Sequence, residues 1–142
     1  MWVFTFCNDV VRFQDWFLKR RRFIPHGRAS KGERAIEAAL RKHGIRFETQ
    51  YELGYYVHVD FAVYMPSAEG EKLCLVEYDG RQHYHPVKFF GGWWKFILQR
   101  MRDTIEGWEC KDRGIPLLRI RYDLPLDKIE GVLMAFLNQP ND

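Results

Sequence analysis

The run Leu73-Cys74-Leu75-Val76-Glu77-Tyr78-Asp79-Gly80 constrains this chain more than any other. Read as a strand, it puts Leu73, Leu75, Glu77 and Asp79 on one face and Cys74, Val76 and Tyr78 on the other. Both faces are apolar until the end, which is the pattern of a central strand covered on both sides. The apolar part stops at two carboxylates of one face, and Gly80 permits a tight turn after them. A second stretch, residues 57–65, places Val57, Val59, Phe61, Val63 and Met65 on one face and His58, Asp60 and Tyr64 on the other. Asp60 is thus an acid inside an otherwise apolar strand. Burying an unpaired charge costs several kcal/mol, roughly, so such acids are paired, bound to metal or catalytic.

The remaining elements follow from local signals. Ser30-Lys31-Gly32-Glu33 is a capping box, and Ala35, Ile36, Ala39 and Leu40 recur behind it at helical spacing, with Gly44 as the stop. The spacing predicts a helix over 31–43. Phe47, Thr49, Tyr51 and Leu53 alternate with Glu48, Gln50 and Glu52, a half-buried strand. Residues 66–70 read as a turn. After a loop at 86–92, Trp94, Ile97, Leu98, Met101, Ile105 and Trp108 mark a long helix ending near Gly114. Residues 115–122 form a fourth strand and 127–137 a closing helix. Trp93, Trp94, Phe96 and Trp108 are expected in the core rather than as a base-stacking platform. Residues 8–24 read as an additional amphipathic helix ending in Lys19-Arg20-Arg21-Arg22. The class is α/β, in the order helix, three strands, helix, strand, helix, after a basic N-terminal extension over 1–28.

Composition narrows the function. With 142 residues, 46% of them apolar and 16% aromatic, one ordinary core is expected and disorder is not. The three cysteines are widely spaced, without a C-x-x-C pair, which argues against a disulfide framework or zinc knuckle and fits a reducing compartment. No apolar run nears the roughly 18 residues of a membrane span. A cytoplasmic setting, in a bacterial or phage-infected cell, is the expectation, with no membrane partner. Residues 1–46 hold 11 Lys/Arg against 4 Asp/Glu, and the rest hold 11 against 15. A basic face beside an acidic-centred core suits a polyanion held over a metal site; a solvated basic helix gives the same charge split.

Glu77 and Asp79 repel each other unless something positive lies near. Mg²⁺ (or Mn²⁺) suits such a pair, because it takes carboxylate oxygens and completes its octahedron with water and phosphate. The turn at Gly80 carries His83 back over the strand tip as a general base. A satisfied turn histidine, or a zinc ligand with His85 and His58, is the alternative. Asp60 as an ion-pair partner, Glu33 as a capping residue alone and Asp103 as a solvated helix residue likewise stay open. Lys31, Arg81 and Arg119, with Arg20, Arg21 and Arg22, are the candidate phosphate contacts.

Taken in order, Ser30-x-x-Glu33, Val59-Asp60-Phe61, Val76-Glu77-Tyr78-Asp79-Gly80-x-x-His83, Phe89-Phe90-Gly91-Gly92, Arg102-Asp103 and Pro116-Leu117-Leu118-Arg119-Ile120 resemble the very-short-patch-repair-like branch of the PD-(D/E)XK nucleases. They are most similar to phage EDxHD-type endonucleases, some of which are homing endonucleases. The resemblance covers about residues 29–138. It implies a restriction-endonuclease-like core, a mixed sheet flanked by helices, and metal-dependent hydrolysis of phosphodiester bonds in double-stranded DNA. It implies Asp60 and Glu77 as metal-binding acids, Asp79 at the superfamily lysine position, His83 in the base role, and Glu33 and Asp103 as supporting acids. Relatives often carry lysine three residues after the helix aspartate; here that position is Glu106, a charge reversal. A non-catalytic DNA-binding module, a mismatch-repair nicking endonuclease, or a protein-interaction role for Trp2, Phe4 and Phe13 are the alternatives. If it is a homing enzyme, a separate recognition module after residue 138 is not expected, and an isolated catalytic domain or a homodimer on DNA is.

Overall fold

A computed structural model describes residues 29–53, 57–86 and 92–139. Helix α1 spans Lys31–Lys42, strand β1 Arg46–Glu52, β2 His58–Ser67 and β3 Gly70–Asp79. A 3-10 turn at Arg81–His83 leads on; helix α2 spans Gly92–Asp112, β4 Leu117–Arg121 and helix α3 Leu126–Leu137. The chain is therefore α/β, a four-stranded mixed sheet flanked by helices, in the order read from the sequence. The N-terminal extension, with Arg20, Arg21 and Arg22 and the expected first helix, lies outside the described residues, as do Phe89, Phe90 and Gly91.

The strands lie in the order β1-β2-β3-β4. The first three are antiparallel neighbours, and β4 runs parallel to β3. A parallel neighbour needs a long crossover, and α2 supplies it. The β2–β3 hairpin turns at Ala68-Glu69, so the strand runs through Pro66 and Ser67, where the sequence suggested a turn.

Helix α1 begins as its capping box dictates. Ser30 Oγ accepts from the Glu33 amide at 3.1 Å, and Glu33 Oε1 accepts from the Ser30 amide at 3.3 Å. Ile36, Ala39 and Leu40 then turn onto the sheet. There they meet Phe61, Val63, Cys74, Val76 and Ile120, with Ile129, Leu133 and Leu137 of α3. Gly32 lies directly against the Tyr78 ring, where a Cβ would overlap ring atoms. A second cluster, Leu53, Val57, Val59, Ala62, Leu75 and Cys110, forms on the α2 side.

Two expectations about facing fail. Phe47 packs in the first cluster, but Tyr51 and Leu53 pack in the second. Phe61, Val63 and Met65 join the first, while Val57 and Val59 join the second. The alternation breaks at one level of the sheet. Gln50 takes the left-handed conformation, φ 54°, and Asp60 opposite it is missing from the paired register. The third correction concerns α2. Trp93, Trp94 and Trp108 are 61%, 76% and 73% exposed rather than in the core, and Met101 and Ile105 are exposed too. The helix presents its other stripe, Asp103, Glu106 and Cys110, to the sheet. No helix of the described residues is long and apolar enough to cross a membrane.

Candidate functional site

Pairing between β2 and β3 runs from Ser67↔Gly70 to Phe61↔Val76 and stops there. One step further, side chains replace the ladder. The Asp60 amide donates to Glu77 Oε2 at 3.0 Å, and the Tyr78 amide donates to Asp60 Oδ2 at 2.8 Å. Each strand's carboxylate thus holds the other strand's backbone, and the two acids meet at the tip of β3. Gln50 Nε2 donates to Asp60 Oδ1 at 3.4 Å. This is the level at which the facing pattern breaks, so the backbone irregularity and the acid pair are one feature.

Both acids hold their protons more tightly than an ordinary carboxyl does. Burial pushes Asp60 up to about 6 against the pull of the Tyr78 amide, with Glu33 adding to the rise. Burial also raises Glu77 well above the ordinary glutamate value, and Asp60 and Glu106 reinforce the shift. Glu33 therefore acts on Asp60 through its charge while its carboxylate closes the capping box.

A second group lies beside the pair. Asp79 is 2% exposed. Its Oδ2 accepts from the Tyr84 hydroxyl at 2.8 Å and its Oδ1 from Arg119 Nη1 at 3.1 Å. Burial, with Asp79 next, pushes the Tyr84 phenol up to about 12. His83 Nδ1 lies 3.3 Å from both Asp103 oxygens and 3.4 Å from Asp79 Oδ1. Gln99 Nε2 donates to Asp103 Oδ1 at 2.9 Å and also approaches His83 Nδ1 at 3.2 Å. Two donors cannot face each other. We assign the Nδ1 proton to the bond with Asp103, because a bond to a carboxylate is the stronger one. Burial works against the ionised Asp103, but the bonds from His83 and Gln99 outweigh it and its pKa falls. His83 is thus held by an acid that stays charged, with Nε2 as its unprotonated nitrogen when the ring is neutral.

Arg119 comes up from β4 into this group. Besides Asp79, it bonds Glu106 Oε2 at 2.7 Å and the Asp103 carbonyl at 3.4 Å. It was a candidate phosphate contact in the sequence; in the structure its guanidinium organises three acidic residues. Glu106 is 4% exposed, and burial pushes its pKa up to about 7 despite Arg119, with Asp103, Asp79 and Asp60 adding to the rise. Lys31 and Arg81 are exposed and remain at the surface. His58 is half-exposed beside Glu52 at 3.8 Å, and His85 is exposed, so neither joins His83. Among the described residues no three His, Cys, Asp or Glu side chains form a ready metal-ligand group.

The chain is 35% identical over 113 residues to uncharacterized protein 094L of Frog virus 3 (isolate Goorha), a match that covers 76% of this chain and 71% of that protein. The chain belongs to the 094L family. No model of a known protein family matches it. No solved structure matches it either. The 094L family has a member in a frog virus, so it reaches beyond the phage and bacterial setting expected from the sequence.

In this 094L-family chain the structure brings Asp60, Glu77, Asp79, His83, Asp103 and Arg119 to one end of the sheet, with Glu33 acting at its margin. Gln99, Tyr84 and above all Glu106 are the members that sequence reading did not place in the site. A signal for Glu106 exists: positions 99, 103, 106 and 110 share one helix face by their spacing, and that face already carried Asp103.

Proposed function

We propose that this protein is a divalent-metal-dependent DNA endonuclease built on a restriction-endonuclease-like core. The observation that carries the reading is the exchange at the β2–β3 tip. Asp60 and Glu77 are locked by each other's backbone, carry strongly raised pKa values, and lie beside His83 and its charged partner Asp103. Two carboxylates that repel each other in a half-buried site are stabilised by a cation between them. Their donors are hard oxygens, and Mg²⁺ is held by as few as one or two carboxylates, with water and phosphate completing its shell. Mg²⁺ (or Mn²⁺) therefore fits the residues present, with Asp60 and Glu77 as its holders. When bound, such an ion would neutralise charge on a scissile phosphate and lower the pKa of an attacking water.

The chain's own residues supply the rest. Asp103 fixes the His83 ring through Nδ1 and stabilises the imidazolium that forms when Nε2 takes a proton. Gln99 holds Asp103 in turn. Asp79 is anchored by Tyr84 and Arg119 and serves to hold Arg119 and His83 in place rather than to reach a cation. Double-stranded DNA is the substrate that the basic N-terminal third suits, and Lys31 and Arg81 are exposed phosphate contacts in this reading. Binding as a homodimer is the accompanying proposal.

The test is plasmid nicking in the presence of Mg²⁺ or Mn²⁺. Asp60→Asn keeps an oxygen for the Tyr78 amide, so it should fold and lose cleavage by a factor of about 10² or more. Equal nicking by both proteins would end the assignment. A second reading, a DNA-binding module without catalysis, is favoured by Glu106, an acid bonded to Arg119 at the position where relatives of the resembled family often carry lysine. Calorimetry separates the two: DNA binding that is indifferent to metal supports the module.

A further inference from the structure

Glu106 is the member of the cluster whose bonding is incomplete. One oxygen, Oε2, takes a 2.7 Å bond from Arg119. The other, Oε1, is buried and has no hydrogen-bond partner among the described residues. A bare buried carboxylate oxygen is costly, because it has left water and gained nothing in exchange. Arg119 relieves only part of this cost, because burial raises the pKa of Glu106 to about 7 despite it. The Glu106 charge raises the pKa of Glu77 and of Cys110, and the charges of Asp103, Asp79 and Asp60 raise its own. Helix α2 fixes this placement, because Asp103 and Glu106 lie one turn apart on the face turned to the sheet.

We propose that Glu106 is itself a cation ligand, and that its Oε1 forms with Glu77 a divalent-metal position on the α2 side of the β3 tip. Glu77 is then shared, with Asp60 on one flank and Glu106 on the other. The inference rests on the metal-dependent reading for the cation's purpose, but it stands on Glu106's own geometry for the binding. The donor chemistry selects the ion. Both ligands are carboxylates, and the nearby Cys110 thiol, pushed up by burial to about 11, stays protonated near neutral pH. Hard oxygen donors without thiolate or imidazole suit Mg²⁺ or Mn²⁺ rather than Zn²⁺. Arg119 keeps Glu106 oriented through Oε2, which leaves Oε1 to the ion.

Metal binding to the full chain, without DNA, tests this. Mn²⁺ is titrated into the metal-free protein and followed by electron paramagnetic resonance and by the thermal unfolding midpoint. Glu106→Gln keeps the size of the side chain and an oxygen for Arg119. The expected result is a loss of Mn²⁺ affinity of about tenfold or more at the Glu106 position, together with a smaller Mn²⁺-induced rise in midpoint. The metal-free variant should be no less stable than the parent. A purely structural role through Arg119 predicts the reverse: a lower metal-free midpoint with Mn²⁺ affinity unchanged, and that result overturns the proposal. Glu106→Asp, which keeps the charge but draws it back by one methylene, should bind Mn²⁺ more weakly than the parent; parental affinity in this variant also overturns it. Absence of Mn²⁺ binding by the parent protein does so as well. Mn²⁺ binding that depends on Glu106, in a protein that cuts no plasmid, leaves this inference standing and removes the endonuclease reading instead.

Discussion

On the α1/α3 face of the sheet, the buried cluster is made entirely of apolar side chains, from Ile36 and Leu40 on one helix to Leu133 and Leu137 on the other. On the α2 face, Asp103 and Glu106 of the helix are joined to Asp79 through His83 and through a guanidinium from β4, Arg119. The same sheet thus carries a dry layer on one side and, on the other, an apolar cluster that gives way to acids at the strand tip. The difference explains why α2 turns its tryptophans outward. With acids beneath it, the helix gains more by lowering its polar stripe onto Arg119 and His83 than by lowering its apolar one.

The largest effect expected from this contrast is on the dry face. Leu133 is fully buried. Leu133→Ala removes its packing and leaves a cavity, and should destabilise the protein by about 2–5 kcal/mol in urea unfolding. The acid face should behave in the opposite way, since Glu106→Gln removes a buried charge and spares stability in the absence of metal. A Leu133→Ala loss below about 1 kcal/mol would mean that the first cluster is loosely packed and that the two faces are not distinct in this respect.

The second effect is a pH dependence of the metal-free protein. Asp60 and Glu106, with Glu77, hold their protons more tightly when folded than when unfolded. The folded chain therefore binds more protons than the unfolded one in the window above the ordinary carboxylate values. The contribution is fully present below about pH 4 and is lost as pH rises through about 6 for Asp60 and about 7 for Glu106. For Glu106 alone, the rise from 4.5 to about 7 corresponds to a loss on the order of 3 kcal/mol. Asp103, whose pKa is lowered, works with the opposite sign and only in acid, losing its contribution as pH falls through its folded value. Unfolding midpoints taken at about pH 5 and about pH 8 should show lower stability at the higher pH, and added Mn²⁺ should shrink the gap. A flat profile without metal would erase the energetic difference between the faces.

What could be read from the sequence follows the range of the physics involved. Helix α1 was legible because its capping box, its apolar spacing and Gly44 all lie within fifteen residues. Strand β3 was legible as central because both of its faces are apolar. The facing of β1 and β2 was not, because the left-handed turn at Gln50 answers to Asp60, whose own partner is Glu77 on a third strand. Such a break depends on register, which no single strand carries. Periodicity in α2 revealed two stripes but not which one faces inward. The general rule puts the apolar stripe inside; the acid-lined sheet beneath reverses it. Glu106 was read only as a charge reversal three residues after Asp103, because its partner Arg119 lies on β4, distant in sequence.

The smallest expected effect is also the sharpest check on that reversal. Trp108 lies two residues from Glu106, on the outward face of the same helix, and is 73% exposed. Tryptophan and serine have similar helix propensity, so Trp108→Ser changes side-chain burial and little else. With so little surface to lose, its unfolding free energy should stay within about 0.5 kcal/mol of the parent. A loss of several kcal/mol would mean that the tryptophan stripe is buried in solution and α2 sits the other way up. Asp103 and Glu106 would then leave the sheet, His83 would lose the carboxylate that fixes its ring, and Arg119 would lose an acid that holds it. A surface residue on the opposite stripe therefore reports on Asp103 and Glu106, because one helix orientation decides the placement of both stripes.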